Sequence, residues 1–162
     1  MSIGQRVRDY LDSHHVNYTA LPHPQAFSAE KIAEELHLSA KHFAKSVVLR
    51  ADGYFLMAVL PASHRLNLHR LMESVEAKRL EIVSENELHN LCSDSELGAF
   101  LPFGNLYKME TWVDRSLGKS EEIVFNAGTH RDAIRMKYSD YLRLAMPQIA
   151  TFSEPAQPQQ AA

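Results

Sequence analysis

Hydrophobic residues recur at helical spacing at the start of the chain, at Ile3, Val7, Tyr10 and Leu11. Positions i, i+4, i+7 and i+8 share one face of an α-helix, so this pattern predicts an amphipathic helix. Further helices are predicted from a cap at Ser28 to about Leu36, around the apolar stripes at 66–75 and 84–92, and from a cap at Ser139 to Pro147.

Short runs rich in valine, leucine and aromatic residues separate these helices. Two of them, 43–49 and 54–60, flank Asp52-Gly53, a pair that tolerates the positive φ of a tight hairpin turn. Other strands are predicted at 17–21, 79–83, 107–113, 123–126 and 133–138. Because helices and strands alternate without a linker or a repeat, we expect a single α/β domain of the α+β type. Its mixed sheet has an antiparallel central hairpin and is surrounded by helices.

The domain is predicted to span residues 1–152. Residues 153–162 contain three glutamines, two prolines and no large apolar residue, so they are predicted to form a disordered tail. The 162 residues are 45% hydrophobic, which is enough for one core, and the net charge of -3 excludes a generic basic coat for nucleic acid.

The compartment is predicted from the cysteine content and from the apolar runs. A single cysteine, Cys92, excludes a disulfide framework and favours a reducing cytoplasm. The longest apolar run, 54–62, is about half the ~20 residues that a membrane span needs. Charged residues within 1–15 stand where a signal peptide would be apolar. We therefore expect a cytoplasmic protein that starts as the mature chain and does not associate with a membrane.

Lys45 is the most informative single residue. Side chains alternate along a strand, so Lys45 shares a face with Val47 and Leu49, whereas Ser46 faces the other side. An ammonium on an apolar face is costly to desolvate unless it meets an anion or opens into a cleft. A lysine near a strand end that extends into water explains the position equally well.

Two glycine-containing loops are further candidates. Gly98, Ala99, Phe100 and Pro102 belong to an apolar loop whose backbone N–H groups can face a ligand oxygen. Gly128, Thr129 and His130 follow a predicted strand, where the imidazole offers a donor or an acceptor near neutral pH. Taken alone, either loop also fits an ordinary surface turn.

Other chemistries lack their motifs. The pairs His37/His42 and His64/His69 are five residues apart, unlike helical metal ligands, so neither a metal nor a cofactor is expected. Cys92 lies on a predicted apolar stripe, which favours packing over nucleophilic catalysis. Serine-nucleophile and phosphate-binding glycine motifs are absent from the sequence.

Three segments together resemble the YbaK family, which includes the editing domain of bacterial prolyl-tRNA synthetases and its free-standing relatives. They are the strand 43–49 with Lys45, the Gly98-x-x-x-Pro102 loop, and the segment 125–132 followed by 140–142. The resemblance covers roughly residues 3 to 150. It implies a strongly curved mixed sheet and a trans-acting deacylase that hydrolyses the ester of a mischarged tRNA. The expected substrate is tRNA-Pro carrying a small amino acid such as Cys, Ala or Ser, without a metal.

The resemblance also implies the site residues. Lys45 would be the hallmark catalytic residue, acting with His130 and with the backbone at Gly98. Ser46, Ala99, Phe100, Pro102, Gly128 and Thr129 would bind substrate, and the glycine-proline loop would shape the amino-acid pocket. Because the aminoacyl ester is already activated, positioning water and stabilising the carbonyl oxyanion are sufficient chemistry.

Electrostatics leave the partners open. The most basic segment, 130–143, carries four basic residues against two acidic ones, so we expect weak, salt-sensitive tRNA binding, with specificity lent by prolyl-tRNA synthetase. The protein is expected to be a monomer or a weak oligomer. Two alternatives remain: a non-catalytic module of the same fold that binds tRNA or a synthetase, and a hydrolase of a small-molecule ester.

Overall fold

A computed structural model describes residues 3–22, 29–36, 38–91, 95–96, 99–129 and 131–156. The helices are α1 (Ile3–Ser13), α2 (Ala29–Glu35), α3 (Leu68–Val75), α4 (Glu85–Leu91) and α5 (Tyr138–Ala145). The strands are β1 (Tyr18–Pro22), β2 (Phe43–Ala51), β3 (Tyr54–Pro61), β4 (His64–Leu66), β5 (Leu80–Ile82), β6 (Glu110–Asp114), β7 (Glu122–Asn126), β8 (Asp132–Lys137), β9 (Gln148–Ala150) and β10 (Ser153–Pro155). Two 3₁₀ turns cover Gly104–Tyr107 and Arg115–Lys119.

Eight strands form one mixed sheet. Seven of them run in the order β1-β8-β7-β2-β3-β6-β9, and β5 pairs with β2. The hairpin β2–β3 is antiparallel, as predicted, and Asp52 and Gly53 in its turn have φ values of 45° and 95°. The contacts β2–β7 and β3–β6 are parallel. The predicted fold class, a mixed sheet with a central antiparallel hairpin and surrounding helices, is confirmed.

Alternation along the central strands supplies both faces of the sheet with apolar side chains. One face packs against α1, α5 and the segment 99–107, in a cluster that includes Val48 and Tyr141. On the other face, Phe43 packs with the α2 residues Ile32 and Ala33, and Leu49 packs with Leu71 of α3. The second face carries Lys45 as well, because Lys45 lies between Phe43 and Leu49 at a spacing of two.

Two predicted element boundaries are wrong for local reasons. The strand expected at 107–113 begins at Glu110, because a 3₁₀ turn occupies 104–107 and ends at Lys108 with a φ of 61°. Helix α5 begins at Tyr138 instead of after a cap at Ser139, since β8 runs directly into it. The Tyr138 N–H donates to the Glu121 carbonyl at 2.8 Å. Ser28 and Cys92 lie outside the described residues.

The disordered tail predicted from residue 153 is also wrong at its beginning. Ser153–Pro155 forms β10, which pairs antiparallel with β4. The preceding Phe152 is fully buried, and its N–H donates to Asp114 Oδ1 at 2.8 Å. This anchor and the strand pairing order the segment despite its polar composition. Residues 157–162 lie outside the described part of the chain. No helix within the described residues is long and apolar enough to cross a membrane.

Candidate active site

A notch in the sheet opens along one edge of β2. The other edge of β2 pairs continuously with β3, so β7 and β5 share the first edge. β7 pairs with β2 only at Phe43 and Ala44, and β5 pairs only at residues 49–51. Residues 45–47 therefore have no strand partner on this edge among the described residues. Neighbouring strands that diverge in this way leave room for a ligand.

Lys45 is the first residue of β2 beyond the pairing with β7. Its side chain is half-buried, and the Nζ atom lies 3.5 Å from the Ala62 carbonyl oxygen. Ala62 is fully buried in the apolar cluster around α2. The ammonium thus lies at the border between an apolar face and the notch, where an anionic or polar ligand group offsets part of its desolvation.

Asn126, the last residue of β7, belongs to this site although the sequence-based candidates did not include it. Val124 pairs with Phe43, and both pack into the same apolar cluster. Asn126 follows Val124 by two residues, as Lys45 follows Phe43, so both polar side chains project to the same face. Asn126 is 5% exposed, and its Oδ1 has no hydrogen-bond partner among the described residues.

An unpaired buried amide oxygen is a free-energy cost of about 1–3 kcal/mol in the empty protein. A ligand that donates a hydrogen bond to Asn126 Oδ1 removes this cost. The signal in the sequence was a polar residue that ends the apolar run Ile123–Phe125 directly before a glycine turn.

The glycine turn after β7 is fixed by its own hydrogen bonds. Gly128 has a φ of 90°, in the region that favours glycine. The Thr129 hydroxyl donates to Asp132 Oδ2 at 3.1 Å and accepts from the Arg131 N–H at 3.2 Å. Gly128 and Thr129 are thereby held at the end of β7, next to the notch. His130 lies outside the described residues.

The apolar loop reaches the same strand end from the opposite face of the sheet. The Glu96 N–H donates to the Gly128 carbonyl at 2.9 Å, and the Ala99 N–H donates to the Glu96 carbonyl at 3.0 Å. Phe100 packs in the cluster on the face of Ala44 and Val48, away from Lys45. Gly98 lies outside the described residues.

Pro102 and Ser46 also belong to that opposite face. Pro102 is buried, and its carbonyl accepts a 2.7 Å hydrogen bond from the buried Tyr141 hydroxyl. Ser46 is half-buried, and its Oγ is buried without a partner among the described residues. Lys45 and Asn126 therefore occupy one side of the sheet, whereas Ser46, Phe100 and Pro102 occupy the other.

Positive charge surrounds the Lys45 side of the site. Burial lowers the pKa of His64 below its usual 6.5, and Asp114 opposes this shift. Lys119, Lys45 and Lys41 lower the pKa further. The His64 Nδ1 lies 2.8 Å from the Ser153 hydroxyl. The neutral imidazole is therefore favoured beside these three cations.

The metal-binding potential of the site is low in the part of the chain that the structure describes. No group of three or more His, Cys, Asp or Glu side chains is arranged there to hold a metal ion. The polar groups that converge on the notch are an ammonium, an amide and a glycine turn, which suit the binding of a polar, anionic substrate.

The mixed sheet, the notch at Lys45 and the glycine turn define an editing-type hydrolase fold. A model of the aminoacyl-tRNA editing domain matches residues 23–144, most of the chain. The chain therefore belongs to the aminoacyl-tRNA editing domain family. The predicted enzyme class, a hydrolase of the aminoacyl-tRNA ester bond, is confirmed at the level of this family, as is the predicted resemblance to YbaK-type proteins.

Individual relatives agree with this membership. The chain is 26% identical over 157 residues to the "Multifunctional Ser/Thr-tRNA deacylase ProXp-y" of Escherichia coli K12, covering 94% of this chain and 93% of the relative. It is 33% identical over 81 residues to a proline–tRNA ligase of Elusimicrobium minutum, covering 50% of this chain and 14% of that enzyme. A solved structure of a candidate trans-editing enzyme for prolyl-tRNA synthetase superposes with a TM-score of 0.81 at 21% identity, over 95% of this chain and 98% of that chain. At this identity the likeness shows the fold alone.

Proposed function

We propose that this protein is a trans-acting deacylase for tRNA that carries a wrong, small amino acid, and that it acts without a metal. tRNA-Pro charged with Ser, Ala or Cys is the expected substrate. Threonyl esters join the candidates, because the E. coli relative is named for Ser and Thr. The observation that carries the proposal is the notch where Lys45 and Asn126 share a face beside the Gly128 turn.

The proposed reaction is hydrolysis of an activated ester. Water forms the new bond to the carbonyl carbon, the ester C–O bond breaks, and the ribose hydroxyl of the terminal adenosine leaves with a proton. The Lys45 ammonium pairs with a phosphate or polar group of that adenosine. Backbone N–H groups of the Gly98 loop stabilise the carbonyl oxyanion, and His130 orients the substrate or the water.

Asn126 supplies an acceptor for the amino acid. Its unpaired Oδ1 suits a donor, such as the α-ammonium group or the hydroxyl of a seryl ester. Discrimination by one methylene yields only about 1–3 kcal/mol, so a hydrogen bond of this kind sharpens the choice between Ser and Ala. Gly128 and Thr129 border the same pocket from the turn.

Ser46, Ala99, Phe100 and Pro102 act from the other face of the sheet. Ala99 and Phe100 are buried, and the Tyr141 hydroxyl holds the Pro102 carbonyl. We assign these loop residues to fixing the backbone that faces the substrate. Ser46 adds an unpaired hydroxyl beside the notch.

Prolyl-tRNA synthetase is the proposed partner, since it produces the mischarged tRNA. The match to part of a proline–tRNA ligase supports this choice. The protein itself is proposed to be a monomer or a weak oligomer.

The deciding experiment incubates the purified protein with tRNA-Pro charged with Ser, Thr, Ala, Cys or Pro. We expect ester loss well above buffer for at least one small amino acid, and slow loss for Pro. No loss for any of them would favour a non-catalytic tRNA- or synthetase-binding module. EDTA treatment should leave the rate unchanged, and an EDTA-sensitive rate restored by added metal would contradict the metal-free assignment. Seryl-adenosine cleaved as fast as seryl-tRNA would indicate a small-molecule esterase.

A further inference from the structure

A second cavity lies at the end of the sheet where β2 begins and where β3 and β6 end. Its volume is about 550 Å³. We call it the basic pocket, because three cations line it, together with two histidines: Lys41, Arg115, Lys119, His42 and His64. All three cations are exposed to solvent. A pocket of this size holds a ligand larger than a single small ion.

The positive charge of the basic pocket is not neutralised by the protein. None of the three cations forms an ion pair with another described residue. Asp114 is the one carboxylate in the lining, and it is only 1% exposed. Its Oδ2 accepts from the Ser116 N–H at 3.1 Å, and its Oδ1 accepts from the Phe152 N–H at 2.8 Å. This carboxylate is committed to the fold, so the cations are left for an external anion.

The basic pocket adjoins the proposed active site. Ala62, whose carbonyl faces the Lys45 ammonium at 3.5 Å, stands next to Pro61 and two residues before His64. Both of these residues line the basic pocket. The positive field is continuous between the two, since Lys45, Lys41 and Lys119 all act on His64.

We propose that the basic pocket binds the phosphodiester backbone of the tRNA acceptor strand, at nucleotides that precede the terminal adenosine. This inference rests on the proposed tRNA substrate. Lys45 engages the terminal nucleotide, and the strand then continues past Ala62 into the pocket. Three cations from two separate segments, residue 41 and residues 115–119, suit successive phosphates along a strand better than one compact ion.

The test neutralises two cations on opposite sides of the pocket, in the double variant Lys41→Gln/Lys119→Gln. The matched control is Lys78→Gln/Arg79→Gln, which changes the net charge equally. It lies beside the β2–β3 turn, at the far end of that hairpin, where the Lys78 N–H donates to Asp52. The affinity for uncharged tRNA-Pro is measured between 50 and 200 mM salt, by fluorescence anisotropy.

Two lost contacts with a single strand should reduce the salt slope by about 1.4, which is about sevenfold in affinity over this range. The control should keep the wild-type slope. Wild-type slope and affinity in the Lys41/Lys119 variant would overturn the proposal. So would inorganic phosphate that competes with binding in the wild type while the variant binds tRNA normally, because the pocket would then be a small-anion site.

Deacylation separates this proposal from the proposed function. Seryl-adenosine lacks the upstream phosphates, so the Lys41/Lys119 variant should cleave it at the wild-type rate while kcat/KM for seryl-tRNA falls several-fold. Equal losses on both substrates would assign these lysines to the reaction centre and overturn the backbone-binding role. If the wild type cleaves neither substrate, the proposed function fails, and the salt slope still decides the phosphate site.

Discussion

Replacing Lys45 by Met tests whether its ammonium serves catalysis or structure. Met keeps most of the aliphatic stem and removes the charge. The hydrogen bond lost in the folded protein is the 3.5 Å contact with the Ala62 carbonyl. A contact of that length contributes little, so we expect the free energy of unfolding to change by less than about 1 kcal/mol.

The effect on the reaction should be far larger. Removing one partner of a buried charged pair costs about 2–5 kcal/mol. Lys45 is only half-buried, which favours the lower part of that range, about 2–3 kcal/mol, or about 30- to 150-fold in kcat/KM. Deacylation of mischarged tRNA-Pro under single-turnover conditions gives the rate, and urea unfolding gives the stability. The control is Lys78→Met, at an exposed lysine far from the notch.

The opposite pattern would refute this reasoning. A Lys45→Met protein that hydrolyses the ester at the wild-type rate but unfolds at clearly lower urea concentration would make Lys45 a structural residue.

Three further predictions concern the surroundings of the notch. Asn126→Leu removes the unpaired Oδ1, so stability should hold or rise while kcat/KM for seryl-tRNA falls at least about tenfold; unchanged turnover with lower stability would contradict this. Tyr141→Phe should lower the free energy of unfolding by about 1–3 kcal/mol, because the Pro102 carbonyl loses its donor inside the core, and an unchanged urea midpoint would contradict it. Burial lowers the pKa of His64, so the unfolded chain binds a proton more readily below pH 6.5. The wild type should therefore lose more stability between pH 7 and pH 5 than His64→Gln, and parallel pH profiles would show that His64 does not contribute.

The parts of the fold that local patterns determine were predictable from the sequence. The stripe containing Val7 and Leu11 marks α1, where both side chains are fully buried. Asp52-Gly53 marks the hairpin turn, since its positive φ values suit few other residues. The alternation around Lys45 assigned this side chain correctly to the face of Val47 and Leu49.

Features that depend on tertiary contacts were not predictable in this way. The strand β10 exists because Phe152 is buried and β4 offers a free edge, neither of which appears in the polar composition after residue 153. The role proposed for Asn126 depends on the parallel register that pairs Val124 with Phe43. Parallel pairing joins segments far apart in the chain, so no short motif reveals it.

The basic pocket has the same origin. Lys41, Arg115 and Lys119 are separated by more than seventy positions, and a local count of charges identified only the weak cluster at 130–143. The ends of β2, β3 and β6 bring the three cations together.

The location of the substrate is measured most directly by a crystal structure of the protein with seryl-adenosine in which an amide replaces the ester. We predict that the ligand lies in the notch, with a donor of the seryl group within hydrogen-bond distance of Asn126 Oδ1 and the nucleotide facing the Lys45 ammonium. A ligand bound elsewhere, with the notch between β2 and β7 unoccupied, would contradict the assignment of the active site.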